Sequence, residues 1–364
     1  MIGAIADDFT GATDLATMLR RSGHRVAVAV AVAGAADPGP DLDALVIAGK
    51  TRTAPVPEAV ADTRAALDRL RAWGADRLYV KYCSTFDSTD RGNIGPVLDT
   101  VADAVGADRV VVVPALPANG RTVYLGHLFV GSDLLEHSSM RQHPLTPMTR
   151  SRVADLLRPQ TPHPVAEVHL PTVRQGPEAV RSAIEEAAGR YVVIDTVDDD
   201  DLATIGAAVA GAPVVSGGSG LALGLPGPGT VADEWAAPPP GRRVVLSGSA
   251  SAATRGQVAA ARAAGRPLHR IDPAAAVREP DAEIGRAIGW FAAQPADSVP
   301  VIFAAEQAED VISDLDGKPV APAVERVLAG IAGHLVGAGG TTRLLVAGGE
   351  TSGAVIQALG VALL

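Results

Sequence analysis

MIGAIADDFTGATDLATMLRR, residues 1–21, holds a strand, a polar turn and a helix in that order. Ile2–Ala6 is apolar enough for a buried parallel strand. Asp7, Asp8, Thr10 and Gly11 then crowd into one short turn. From Ala12 to Arg21 the spacing is helical, with Leu15, Met18 and Leu19 on one face. This is the opening of a βαβ unit. In open parallel sheets ligands bind in the crevice at the carboxyl ends of the strands. Two carboxylates placed there repel each other, so the pair calls for a reason. A helix cap on Asp8 or Thr10 accounts for one acid more easily than for two.

Outward from that turn the alternation continues. Val26–Val32, Ala44–Ile47, Leu78–Lys81, Val110–Val113, Val192–Ile194 and Val214–Val215 read as buried strands, and Pro57–Trp73 and Pro177–Ala188 as helices. Such alternation predicts an α/β sheet. Segment Val123–Thr149 breaks it and reads as an irregular or β-rich insertion. Pro and Gly crowd around Leu225–Arg243 and mark a linker. A second α/β unit then begins with Val244–Leu246 and includes strands at Val301–Phe303 and Arg343–Val346. The expected division is a domain over residues 1–230, a linker over 231–242 and a second domain over 243–364.

Composition narrows the class. The chain has 364 residues, enough for two domains, a hydrophobic share of 47% and a net charge of −10. An acidic chain lacks the clustered basic surface of a nucleic-acid binder. One cysteine, Cys83, permits no internal disulfide and no Cys-rich zinc site. It reads as a small buried hydrophobe with no assigned chemistry. No basic n-region opens the chain, and no uninterrupted apolar run is long enough to span a bilayer. A cytoplasmic enzyme without membrane or nucleic-acid partners is the expectation.

Polar residues gather where strands end. KYCSTFDSTDRGNIG follows one strand, PALPANGRTVYLGHLFV and then HSSMRQHPLTPM another, and SGGSGLA a third. In the second domain SGSASAAT and GGETSGAVIQALG are Gly/Ser-rich turns that lead into helices. Such turns expose backbone N–H groups at a helix N-terminus, where anionic oxygens are favoured. Neither has the Gly-Lys-Ser/Thr ending of a Walker A loop. Two such turns, both after strands, point to phosphate binding.

IADDFTGATDLA, KYCSTFDST, GNIGPVLD, NGRTVYLGHLFV, MRQHPLTPM, SGSASAAT and GGETSGAVIQALG together resemble the four-carbon acid sugar kinases, and within them the 3-oxo-tetronate kinases. The resemblance covers essentially the whole chain. It implies two α/β domains with largely parallel sheets, whose substrate and nucleotide sites face an interdomain cleft. It implies ATP-dependent phosphorylation of the terminal hydroxyl of a small sugar acid, with magnesium accompanying the nucleotide.

Phosphoryl transfer needs an oriented hydroxyl, groups that neutralise phosphate charge and a positioning carboxylate. Asp8, or else Asp7, is the candidate base. Thr10 and Gly11 offer donors to substrate or phosphate. Lys81 could neutralise a carboxylate or phosphate, or be a solvated strand-end lysine. Asp87 could bind a sugar hydroxyl or cap a turn. Arg121 suits a substrate carboxylate through two parallel hydrogen bonds, and Arg141 competes for that role. His127 and His143 lack a third convincing metal ligand, so they are expected to meet substrate hydroxyls or the 3-oxo group, or to form a dimer contact. No metal-ligating residue is assigned. Ser247, Gly248, Ser249 and Ser251 form one candidate nucleotide loop. Gly348, Gly349, Glu350, Thr351, Ser352 and Gly353 form the other, with Glu350 acting through magnesium or a ribose hydroxyl.

Family members usually carry a cysteine at the position of Ala250, and they usually continue past the GGETSG helix with a further strand and a Gly-containing loop. Here the chain ends at GVALL. The resemblance thus implies a shortened nucleotide domain with an exposed sheet edge. The alternatives are a threonate or erythronate kinase, or a truncated, inactive ligand-binding relative. A homodimer is compatible with either.

Overall fold

Five consecutive apolar residues, Ile2–Ala6, form β1, and all five are buried. That is the pattern of a parallel strand covered on both faces. The computed structural model describes residues 1–30, 39, 41–143, 146–229, 239–338 and 340–364. It divides into two units, Met1–Ala232 with Ala362–Leu364, and Asp233–Val361.

In unit 1, β1 is followed by α1 (Phe9–Arg21), β2 (Val26–Ala29), β3 (Ala44–Ala48), α2 (Val56–Ala72), β4 (Arg77–Lys81), α3 (Ile94–Val105) and β5 (Val110–Val113). Then come β6 (Arg121–Tyr124), β7 (His127–Val130), β8 (Asp133–Leu134), α4 (Val153–Leu157), β9 (Val165–Val168), α5 (Leu170–Val173), α6 (Pro177–Glu186), β10 (Tyr191–Ile194), α7 (Asp199–Ala208) and β11 (Val214–Gly217). Eight of these strands make one sheet in the order β2-β3-β1-β4-β11-β5-β10-β9. Every pairing in it is parallel. The expected α/β class with a largely parallel sheet is what the chain forms.

The core of unit 1 lies between this sheet and its helices. It is built from Leu45, Ile47, Leu67, Leu70, Leu98, Val101 and Val112, among others. β2 ends at Ala29, and residues 31 and 32 of the predicted strand lie outside the described residues. At this edge of the sheet Leu364 pairs with Val28 through two backbone hydrogen bonds of 2.8 and 2.9 Å. The segment expected to be irregular or β-rich starts with a three-stranded antiparallel sheet, β6-β7-β8. Residues 144 and 145 of it lie outside the described residues.

Unit 2 contains β12 (Arg242–Ser247), α8 (Ala252–Ala263), β13 (Leu268–Arg270), α9 (Pro273–Arg278), α10 (Pro280–Ala292), β14 (Val301–Phe303), β15 (Asp314–Leu315), β16 (Lys318–Pro319), α11 (Val320–Gly337), β17 (Thr341–Ala347) and α12 (Gly349–Ala358). A four-stranded parallel sheet runs β13-β14-β12-β17. β12 begins at Arg242, so the last residue of the expected linker is already strand; residues 231–238 lie outside the described residues. α11 is long and apolar enough to cross a membrane. Its Val327, Leu328, Ile331 and Leu335 instead pack in the unit's own core with Phe291 and Ile302.

Candidate active site

Register brings the site of unit 1 together. Ala6, the last residue of β1, lies opposite Ala48 of β3 and Lys81 of β4, and Lys81 in turn lies opposite Gly217 of β11. The turns after these strands therefore leave the sheet at one edge, the carboxyl-end crevice of an open parallel sheet. Asp7 N–H donates to the Lys81 carbonyl at 3.1 Å, and the Asp7 carbonyl accepts from Thr51 and Arg52 N–H at 3.0 and 3.2 Å.

Asp8 is the N-cap of α1. One of its carboxylate oxygens accepts from Gly11 N–H at 2.6 Å. Helix capping is thus one role of the acid pair, and it uses one oxygen of one acid. Asp7 and Asp8 share a partner that the sequence reading did not single out. Arg52 donates from Nε and Nη2 to the two Asp7 oxygens at 2.7 and 3.0 Å. Its Nη1 lies 2.8 Å from Asp8 Oδ2 and 3.9 Å from Asp87 Oδ2.

Burial, reinforced by the neighbouring Asp7 charge, raises the Asp8 carboxyl above the usual carboxylate range, against the pull of Arg52 and the Gly11 hydrogen bond. Burial alone would lower the Arg52 pKa; the Asp7 charge and hydrogen bonds and the Asp8 charge outweigh it and hold the guanidinium firmly ionised.

Lys81 is not a solvated strand-end lysine. It is 3% exposed, and Nζ donates to the Tyr82 carbonyl at 3.0 Å. Gly11 leaves room for the Asp8 carboxylate and the Lys81 ammonium. A Cβ there would stand 2.7 Å from Asp8 Oδ1 and 3.1 Å from Lys81 Nζ. Asp87 is buried and accepts from Thr85 Oγ1 at 2.5 Å. Thr10 stands exposed in the first turn of α1. Asn93, also unannounced by the sequence reading, holds the Arg52 loop: its Nδ2 donates to the Thr51 and Ala54 carbonyls at 2.6 and 2.7 Å. Cys83 sits beside the cluster, its thiol pushed up to about 11 by burial and then by the Asp87 charge.

The residues of the insertion form a separate group. Arg121 donates to the Asn119 carbonyl, His127 Nδ1 lies 2.8 Å from the Leu125 carbonyl, and Arg141 donates to the Glu136 carbonyl at 3.2 Å. His143 Nδ1 accepts from Thr146 N–H at 3.1 Å. Among the described residues, no hydrogen bond or ion pair joins these four to Asp7, Asp8, Lys81 or Asp87.

In unit 2, β12 and β17 are in register up to Ser247 opposite Ala347, so the two Gly/Ser-rich turns leave the sheet side by side. Gly248 and Ser249 N–H both donate to the Ala347 carbonyl, at 3.0 and 3.1 Å. Gly348 has φ of +127°, a conformation open to glycine, and a Cβ on Gly248 would collide with Thr351 Oγ1. Ser251 caps α8 by accepting from Thr254 N–H at 3.2 Å, and Thr254 Oγ1 donates to Ser249 Oγ at 3.0 Å. Ser247 is 2% exposed, and its Oγ has no hydrogen-bond partner. Gly349, Glu350, Thr351, Ser352 and Gly353 form the first turn of α12, with Thr351 buried and Glu350 exposed. Paired glycine turns, each at a helix N-terminus, suit an anionic phosphate chain.

Residues 2–225 match the family described as "Sugar-binding N-terminal domain", and residues 244–364 match "Nucleotide-binding C-terminal domain". The chain belongs to the family of proteins that join these two domains. Among its relatives, a protein of Burkholderia multivorans named 3-oxo-tetronate kinase is 46% identical over 99% of this chain and 86% of that one. One of the same name from Escherichia coli K12 is 41% identical over 99% of this chain and 95% of its own. A solved structure from Salmonella typhimurium LT2 is 40% identical, with a TM-score of 0.86 over 100% of this chain and 89% of that chain.

Proposed function

We propose that this chain is an ATP-dependent kinase that phosphorylates the terminal hydroxyl of a four-carbon sugar acid, a 3-oxo-tetronate in the first instance. The observation that carries the reading is the gathering of Asp7, Asp8, Lys81 and Asp87 at the carboxyl edge of the sheet of the sugar-binding domain. Relatives named for that reaction support it over nearly the full chain.

In this reading Asp8 accepts the proton of the substrate hydroxyl as its oxygen attacks the γ-phosphorus of ATP. The bond from γ-phosphorus to the bridging oxygen breaks, and ADP leaves. A carboxyl with a raised pKa is a better proton acceptor than an ordinary one. Lys81 neutralises charge near the hydroxyl, Gly11 N–H holds the Asp8 carboxylate in place, and Asp87 orients the sugar. The turns Ser247–Ser251 and Gly348–Gly353 hold the phosphates through backbone N–H groups and hydroxyls.

Among the described residues no three His, Cys, Asp or Glu side chains gather to hold a metal ion on their own. Magnesium in this reading arrives with the nucleotide, where it shields phosphate charge. Glu350 is the carboxylate that the two turns offer it. In this reading the enzyme works in the cytoplasm, where ATP is supplied. The test is ATP consumption against tetronates and their 3-oxo forms, with the phosphorylated product identified. Turnover with a 3-oxo-tetronate supports the reading, turnover with threonate or erythronate alone reassigns the substrate, and no turnover with any of them overturns it.

A further inference from the structure

Arg52 stands among three carboxylates of the site. Its guanidinium spends Nε and Nη2 on Asp7 and Nη1 on Asp8. The crevice beside the guanidinium is lined by Asp7, Arg52, Lys81, Asp87 and Asn93 together with the apolar Ile5, Val80, Ile94 and Val97. An incoming acid that takes a two-pronged grip on Arg52 competes with these carboxylates. Asp7 and Asp8 are held by the strand-end turn, and the second Asp8 oxygen is tied to Gly11 N–H. Lys81 Nζ is tied to a backbone carbonyl. Arg52 is the long side chain of the group, and its bonds are all to side-chain carboxylates.

Charge points the same way. Three carboxylates, Asp7, Asp8 and Asp87, face two cations, Arg52 and Lys81, so the cluster already carries one excess negative charge when all five are ionised. An incoming carboxylate adds another and competes with the protein's own acids for the guanidinium, whose fork fits any of them in the two-pronged manner.

We propose that Arg52 reads the substrate's carboxylate by exchange: Nη1 leaves Asp8 for the incoming acid, and Asp8, no longer ion-paired, becomes free to accept the hydroxyl proton. The inference rests on the kinase reading above and adds a specificity device to it. The base stays paired, and therefore blunted, until a substrate bearing a carboxylate is present. Neutral sugars of the same length and shape cannot displace the guanidinium. Arg52, rather than Arg121 or Arg141, then sets the demand for an acid.

The experiment compares the sugar acid with its neutral carboxamide on the wild-type chain, Arg52→Lys, Arg52→Met and Arg121→Lys. Wild type should prefer the acid by about 100-fold in kcat/KM, the scale of hydrogen bonds to a charged group. In Arg52→Met the preference should vanish, mostly through a raised KM for the acid. Arg52→Lys should keep the fold and lose about 10-fold, because the ammonium lacks the fork. KM for ATP should stay as it is. Equal losses for acid and carboxamide in Arg52→Met would make Arg52 a scaffold for the acid pair and overturn the proposal. Loss of the preference in Arg121→Lys instead would overturn it too.

Calorimetric binding of acid and carboxamide to the same four proteins reads the preference without turnover. A chain that transfers no phosphate but binds the acid in an Arg52-dependent way refutes the kinase reading and leaves the carboxylate receptor standing. A wild type that binds neither compound refutes both.

Discussion

Asp8 carries two loads that pull in opposite directions. As N-cap it stabilises α1, a contribution of about 1 kcal/mol for such caps. As a carboxylate beside Asp7 in a buried turn it resists ionisation. A carboxyl with a raised folded-state pKa binds its proton more tightly folded than unfolded. Stability therefore falls as pH rises from the unfolded value through the folded one, and the deficit persists at neutral pH. Asp8→Asn keeps a capping oxygen and removes the charge. Its melting temperature at pH 7 should equal or exceed that of the wild type, and any advantage should disappear below about pH 4, where the unfolded carboxyl also protonates. Turnover should fall by about 10²–10⁴-fold. Melting curves at both pH values, with rates alongside, check this. A marked loss of stability at pH 7 would mean that the cap, not the base, is what the protein needs from Asp8.

At the scale of elements, two glycine turns face each other across one strand pair. Gly248 has no room for a methyl group against Thr351 Oγ1, and Leu328 Cδ1 would lie 3.2 Å away. Gly248→Ala should therefore spread the turns, cost about 1–3 kcal/mol as other overpacked sites do, and raise KM for ATP at least tenfold while that for the sugar acid holds. Adding Thr351→Ser should not relieve the clash, because the hydroxyl remains. Adding Thr351→Ala should relieve it in part. Steady-state kinetics of the single and double variants distinguish these cases.

Most strands of the two parallel sheets were legible as apolar runs. Val110–Val113 and Val301–Phe303 are strands over their expected lengths. The omissions share a cause. β9 reads VAEV, its Glu167 pairing with Arg152 through Nε at 2.8 Å, and β13 is the three residues LHR. Both are edge strands, and an edge strand keeps polar residues that break the apolar run. Arg52 was missed for another reason. IAGKTRT also follows a predicted strand, so the rule that drew attention to the other strand ends applied there as well. Its importance comes from register, which sets β3 beside β1 and is not written in any local pattern.

Among the described residues one large core lies around the eight-stranded sheet and another around α11. A ligand that binds only the folded form of one unit stabilises that unit by mass action, about 2.7 kcal/mol at a hundredfold excess over Kd. Scanning calorimetry should resolve the assignment. A sugar acid should raise the transition of the unit that holds Asp7 and Asp8, and ATP that of the unit that holds the paired turns. ATP that shifts the first transition alone would move the nucleotide site off the turns at Ser247 and Gly348. A shift from ATP in the second transition would also show that the chain as it stands suffices for nucleotide binding.

The order of strands in the large sheet has a consequence for how the protein is made. β11 lies between β4 and β5, yet it is the last strand of that sheet to leave the ribosome. Until Val214–Gly217 is available, the β2-β3-β1-β4 half and the β5-β10-β9 half each present an open inner edge, apolar on both faces. Unpaired edges of that kind are templates for pairing between chains, and nascent chains expose them for as long as synthesis lasts. Birth order thus makes the middle of the sheet its last and most vulnerable seam. A fragment ending at residue 212 should aggregate or be held by chaperones, whereas one ending at residue 229 should stay in solution and melt cooperatively. Sedimentation of the two fragments after expression decides it, and a well-behaved 1–212 fragment would mean that the two halves close without their central strand.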